Sequence, residues 1–430
     1  MDTGIEDWTN SGGENYIYVY RPGVTDPESA ADVGSNGINL VSKAALDVSA
    51  GETEYGSTDL SKPFSENTLY YSGGKNSGVR ISGLKLSADG NSITFKVDFA
   101  DYGASDVWDS MGKNAGTDVS GEPFLYADSA TGKIYMAYAA QRGGTKQVVV
   151  KSWNEKTASW EQIGSSINAG NAMPNPVLAV CGGELYVAFL NGSSGVPVYR
   201  KLNGNSWSNA VSLGSAQYPQ SLQFIVDGNS IYVAYCETTS DGGAKMVIRD
   251  IKGNKVITDT LKANYFSSPS VVKLGSQFYV AYADFPNGNG KIDAYNPGTS
   301  KWSTVHEYSI KSNSHILQVK GGVLYGFVGV TGANPIVTVY DGARWKDTTV
   351  VKMKNYYSPS MEIVRGAVCL TYLDNASNQV VMIRQTDNGF ETCYDNLGSS
   401  LFYLDTCSYD KTVYMAYQSI NSYTVLVRRK

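Results

Sequence analysis

A chain of 430 residues with a formal net charge of −5 carries no basic stripe for nucleic acid and no polybasic amphipathic stretch for a membrane surface. No run of apolar residues could span a bilayer, and no long stretch keeps a helical period. The 45 glycines and 31 tyrosines instead suit many short strands joined by tight turns, because aromatic residues favour strands and glycine supplies turns.

The start, Met1-Asp2-Thr3-Gly4, has no signal peptide and reads as the middle of a protein, so it says little about location. Residues 1–104 form the first expected domain. Tyr16-Ile17-Tyr18-Val19-Tyr20 and Gly37-Ile38-Asn39-Leu40-Val41 are strand candidates. Farther on, Gly78 to Leu86 alternates apolar and polar residues, Asp89-Gly90 follows, and Ser92 to Val97 alternates again. Alternating runs on either side of Asp-Gly predict a β-hairpin.

The segment from Tyr71-Ser72-Gly73-Gly74 to Val97, with Gly51 to Gly56 and Glu14 to Arg21 before it, resembles the end of the peptidase region of secreted zinc metallopeptidases of the immune inhibitor A type. The resemblance covers about the first hundred residues, and it implies a parent protein that is secreted and bacterial. Such chemistry needs H-E-x-x-H, two histidines one helical turn apart on zinc with a glutamate as base. The chain has two histidines in all. His306-Glu307 begins such a motif, but Ile310 stands where the second histidine belongs, and His315 lies outside the spacing. No catalytic residue, metal ligand or cofactor is therefore assigned.

From residue 105 onward one motif recurs. Ile134-Tyr135-Met136-Ala137-Tyr138 returns at Leu185–Phe189, Ile231–Tyr235, Phe278–Tyr282, in looser form at Leu324–Val328 and Val368–Tyr372, and cleanly at Val413–Tyr417. Measured at the second residue, the spacings are 51, 46, 47, 46, 44 and 45. That period fits one four-stranded propeller blade. Trp160, Trp207, Val256, Trp302, Trp345 and Phe390 mark fourth strands. The seventh unit lacks one, and Trp108 stands 52 residues before Trp160. The expected fold is all-β: a seven-bladed β-propeller over 105–430, preceded by a small β-rich domain, with the strand at Trp108 completing the last blade and closing the ring. On the motif strand, Tyr135 and Ala137 share one face, and Ile134, Met136 and Tyr138 the other. The motif thus reads as scaffold, and the tryptophans as structural.

Five cysteines, Cys181, Cys236, Cys369, Cys393 and Cys407, form no CxxC pair and read as buried free thiols. Chemistry is expected on the loops that join fourth to first strands and second to third strands. There Tyr218, Tyr265, Phe266, Tyr356 and Tyr357 precede proline-marked strands, and Glu237, Asp241, Asp284 and Asp374 lie nearby. Rings stack on sugar C–H faces and carboxylates accept hydroxyl hydrogen bonds, while the same set suits a peptide. The competing role for each residue is packing for the rings and turn capping for the acids. The leading expectation is a monomeric, non-catalytic module that binds an extracellular glycan or protein. A glycoside hydrolase or lyase using acids such as Asp284 and Asp374, and a purely structural adhesion module, are the alternatives.

Overall fold

The structure, a computed structural model, describes residues 54–57, 79–87, 93–99, 108–112 and most of 115–429. Short stretches outside the description include 216–218, 241–242, 265–267, 387–388, 396–400 and 420–423. The strand candidates at 16–20 and 37–41 also lie outside it. The chain separates into two compact units, Met1–Ser105 and Asp106–Lys430. No helix occurs among the described residues.

In the first unit, Val79–Leu86 pairs antiparallel with Ile93–Phe99, and Glu54–Gly56 adds to the other edge of Val79–Leu86. The strands expected on either side of Asp89-Gly90 thus pair antiparallel, and the turn itself lies outside the described residues.

Among the described residues the second unit holds seven sheets, each with a run of four antiparallel strands that are neighbours in sequence, apart from the last strand of sheet seven; sheets one, two and three carry a further short strand on the third. Sheet one comprises Phe124–Ala127, Ile134–Arg142, Thr145–Asn154 and Ser159–Gln162. Sheet two comprises Val177–Cys181, Glu184–Asn191, Val196–Asn203 and Ser206–Trp207. Sheet three comprises Gln220–Asp227, Ser230–Thr238, Gly243–Asp250 and Val256–Leu261. Sheet four comprises Ser270–Leu274, Gln277–Ala283, Asn289–Asn296 and Lys301–Lys311. Sheet five comprises Ser314–Lys320, Val323–Gly329, Ile336–Tyr340 and Trp345–Thr349. Sheet six comprises Tyr356–Val364, Ala367–Asp374, Gln379–Thr386 and Gly389–Asp395. Sheet seven comprises Leu401–Tyr409, Thr412–Ser419 and Thr424–Arg429, and its fourth strand is Asp109–Ser110, paired through Arg428 and Arg429. The first strands touch in order from sheet to sheet, and that of sheet seven touches that of sheet one.

All seven copies of the motif lie in second strands. Alternation along the strand decides what each residue meets. Ile134, Met136 and Tyr138 pack with Cys407, Tyr414 and Ala416 of sheet seven. Ala137 packs with Leu178, Leu185 and Val187 of sheet two. Each buried Met, Val or Leu side chain is worth roughly 1.5–3 kcal/mol relative to exposure, so the sheet-to-sheet seams hold most of the hydrophobic stabilisation. In sheet five Phe327 stands at the alanine position and Gly326 just before it, and Leu317, the register partner of Gly326, packs against that glycine. Trp108 is 2 % exposed and packs with Leu404, Met415 and Tyr417.

The outer tryptophans lie on third-strand rings of their own sheets: Trp160 on Trp153 at 5.6 Å, Trp302 on Tyr295 at 5.2 Å and Trp345 on Tyr340 at 4.4 Å. Such pairs are worth about 0.5–1.5 kcal/mol beyond area burial. Sheets four and five are also clamped at this level. His306 stacks on Trp345 at 4.7 Å, and its Nε2 lies 3.0 and 3.1 Å from the two carboxylate oxygens of Asp347.

Candidate functional site

The residues expected to bind ligand divide into three groups. Tyr218, Tyr265 and Phe266 lie outside the described residues, as does Asp241. Tyr356 and Tyr357 lie on the first strand of sheet six, and Asp374 is the register partner of Tyr356. Tyr356 offers no ring face to solvent: it is 1 % exposed and packs edge-on against Phe327 and Tyr372. Gly329 makes that possible, since a Cβ there would come within 2.7 Å of Pro335 and would also strike the Tyr356 hydroxyl. Tyr357 is half-buried against Leu373 and Val364.

The acids have local partners. Asp284 is 8 % exposed and accepts the Asn289 N–H at 2.7 Å and the Asn287 side-chain amide at 3.3 Å. Asp374 accepts the Ser377 hydroxyl at 2.6 Å and the Ser377 N–H at 3.2 Å. Both hold their own second-to-third hairpin turn, a common use of Asp. Glu237 pairs with its register partner Lys245 at 3.5 Å. Asp284, Asp374 and Glu237 belong to three different sheets.

Two other polar assemblies emerge. One lines the ring where sheets six, seven and one meet. The Leu125 N–H donates to Asp405 Oδ2 at 2.6 Å, joining sheet one to sheet seven. Ser360 and Thr406 share a hydrogen bond of 2.7 Å between sheets six and seven. Glu362, 8 % exposed, accepts the Ser408 hydroxyl at 2.6 Å and the Gln318 amide at 3.3 Å, touching sheets seven and five at once. Ser358 Oγ lies 3.4 Å from Glu122 Oε1 at the entry to sheet one. Burial pushes the Glu362 carboxyl up to about 7, against the pull of the Ser408 and Gln318 donors. Burial also holds Asp405 well above the usual carboxylate range, with the nearby charges of Glu122 and Glu362 adding to it. Glu122 is pushed up by crowding protein atoms, but its side chain is exposed and water tempers that push.

The second assembly is a cleft of about 440 Å³ between sheets one and two. Sheet one supplies Lys133, Tyr135, Ser152, Glu161 and Gln162; sheet two supplies Glu184, Leu185, Leu202 and Asn205. In a four-stranded meander the first-to-second and third-to-fourth turns share one end. Lys133, Gly183 and Asn205 belong to those turns, so the cleft opens at the end opposite the loops favoured from sequence. Lys133 Nζ stands 5.4 Å from the centre of the Tyr135 ring. Glu161 Oε1 accepts the Asn154 amide at 2.7 Å and the Thr157 hydroxyl at 3.3 Å, and Oε2 makes no protein hydrogen bond among the described contacts. Glu184 is held by Lys201 at 2.9 Å and by the Tyr186 hydroxyl at 2.7 Å, the first of which chiefly keeps its carboxyl below the ordinary value. Glu184 therefore stays ionised, with Lys201 as its counter-charge.

Tyr135 is the signal that sequence reasoning passed over. It belongs to the repeat and reads as packing, and in sheets two, four, five and seven the equivalent Tyr186, Tyr279, Tyr325 and Tyr414 are buried. Tyr135, like Tyr232 of sheet three, is half-buried instead, and it lines the cleft beside Gly183 and Gly204. Nothing in the pentapeptide distinguishes it.

No protein-family profile and no curated protein matches the chain. Solved structures similar to it are β-propeller proteins. The fucose-specific lectin from Aleuria aurantia aligns at 9 % identity over 65 % of this chain and 97 % of its own, with a TM-score of 0.45. The β-propeller domain of the Trilobed protease from Pyrococcus furiosus aligns at 11 % identity over 72 % of this chain and 97 % of its own, with a TM-score of 0.48. AofleA from Arthrobotrys oligospora aligns at 11 % identity over 60 % of this chain and 82 % of its own, with a TM-score of 0.42. The immune inhibitor A resemblance finds no support among these matches.

Proposed function

We propose that residues 105–430 are a seven-bladed β-propeller, clasped by the strand after Trp108, that acts as an extracellular carbohydrate-binding module. One observation carries the reading: the cleft between sheets one and two. Its volume, about 440 Å³, is within the range of small-ligand sites, roughly 300–1,000 Å³. Its lining mixes one aromatic ring with cation, carboxylate and amide groups, and a polyol ligand needs such alternating donors and acceptors around a surface on which C–H groups can stack. A peptide would call for more apolar lining. The acids expected to serve a hydrolase, Asp284 and Asp374, each cap their own turn on different sheets, which weighs against that pair as a catalytic pair. Residues 1–104 would be the end of a peptidase region that the propeller holds near glycosylated substrate.

A glycan array probed with the full chain, followed by calorimetric titration of the best hit, tests this. Tyr135→Ala is expected to weaken binding about tenfold, the effect of roughly 1.4 kcal/mol, and Glu161→Gln to weaken it as well. An array without hits, or a hit that binds Tyr135→Ala as tightly as the parent, would sink the proposal.

A further inference from the structure

Building on the carbohydrate reading of the cleft between sheets one and two, we propose that it selects saccharides that carry an anionic group, a carboxylate or a sulfate.

Charge in and behind the cleft is unevenly compensated. Lys133 lines it, with Nζ 5.4 Å from the centre of the Tyr135 ring, and that ammonium makes no hydrogen bond and no ion pair among the described residues. Alternation along Val196–Asn203 puts Arg200 on the same face as Val198 and Leu202, which pack with Val148, Val150 and Ile163 of sheet one. Leu202 lines the cleft, and Arg200 stands behind it in the seam. The Arg200 Nη1 donates to the Ser208 carbonyl at 3.1 Å, its buried Nε has no acceptor, and no carboxylate pairs with it among the described residues. The acids nearby are already engaged. Glu184 has Lys201 and the Tyr186 hydroxyl. Asp128, whose charge reaches Tyr135, accepts the Thr131 hydroxyl and the Ala130 N–H of its own turn. Glu161 accepts Asn154 and Thr157 on Oε1 and keeps only Oε2 open.

Two cations without a counter-charge thus stand against one half-satisfied carboxylate. A buried N–H without an acceptor is costly, and hydrogen bonds from Lys or Arg to an ionised oxygen are roughly twice as strong as neutral ones. An anion at the Lys133 end of the cleft gains a direct partner there. The Arg200 charge behind Leu202 adds attraction at longer range, which salt screens. Tyr135 then stacks on the sugar C–H face, and Glu161 Oε2 accepts one of its hydroxyls.

On an array of neutral, carboxylate-bearing and sulfated saccharides probed with the full chain, hits should fall among the anionic members, and the stronger class tells carboxylate from sulfate. Calorimetric titration then compares the best hit with its carboxyl-reduced or desulfated counterpart. The parent should bind the anionic form about tenfold more tightly or better, and the gap should narrow as sodium chloride rises from about 0.05 to about 0.5 M. Lys133→Met should bind the two forms alike, while Lys346→Met, at an exposed lysine of sheet five, should keep the preference. Hits confined to neutral saccharides, equal binding of the two forms by the parent, or a preference that survives Lys133→Met would overturn the inference and leave the carbohydrate reading standing. An array without hits removes that reading and the inference with it.

Discussion

At the residue scale, two buried groups pull the pH dependence in opposite directions. His315 is 6 % exposed and is bonded to the Ser312 hydroxyl at 2.8 Å and the Ser268 carbonyl at 3.2 Å. Burial drives its value down to about 4. The native state therefore binds fewer protons than the unfolded state, and stability is lost as pH falls from about 6.5 toward 4. Glu362 gains stability over nearly the same interval. Glu362→Gln removes the compensating group, so its melting temperature should fall on acidification more steeply than the parent's. Parallel curves for the two proteins, measured by calorimetry, would show that Glu362 does not carry the compensation. Neither group was legible in the sequence. His315 drew notice for its place relative to His306, and Glu362 for nothing, since its environment comes from side chains 44 and 46 residues away.

At the element scale, the second strands were readable because their pattern is local. Period-two alternation and an alanine at one position in five of the seven copies follow from packing one sheet on the next, and most sheets repeat that demand. The first strands were less readable. Asn175, Ser221, Ser358 and Tyr403 have φ values of 41°, 56°, 49° and 47°, and each stands two residues before the one facing the motif's alanine position. Three of these coincide with a register shift. Left-handed backbone outside glycine costs roughly 1–3 kcal/mol per residue, and the bulge turns neighbouring side chains toward the ring. No residue type announces it, because Ser and Tyr are unremarkable in a strand. The clasp was legible for a different reason: the seventh unit lacked a fourth strand, and Trp108 repeated the pattern of Trp160 at 52 residues. Trp108→Ala should cost about 3–5 kcal/mol, the range for emptying a buried aromatic site, and should expose sheet seven before the others. Denaturant unfolding that leaves the midpoint unchanged would mean that Asp109–Ser110 is dispensable.

At the scale of the whole molecule, the loops at the fourth-to-first end were the natural place to look for chemistry, yet their described acids hold turns and their described rings fill seams. The cleft lies at the other end, on a scaffold residue that is half-buried between sheets one and two. Such a site depends on the fit of two neighbouring sheets, which no single repeat encodes. Methyl NMR of the chain with labelled leucine and isoleucine tests the central claim most directly. Ile163, Leu185 and Leu202 line the cleft, whereas Leu317 and Leu404 belong to the first strands of sheets five and seven. On titration with a saccharide that binds, the account predicts shifts at Ile163, Leu185 and Leu202 with Leu317 and Leu404 unmoved. Shifts at Leu317 and Leu404 with the cleft methyls silent would contradict it.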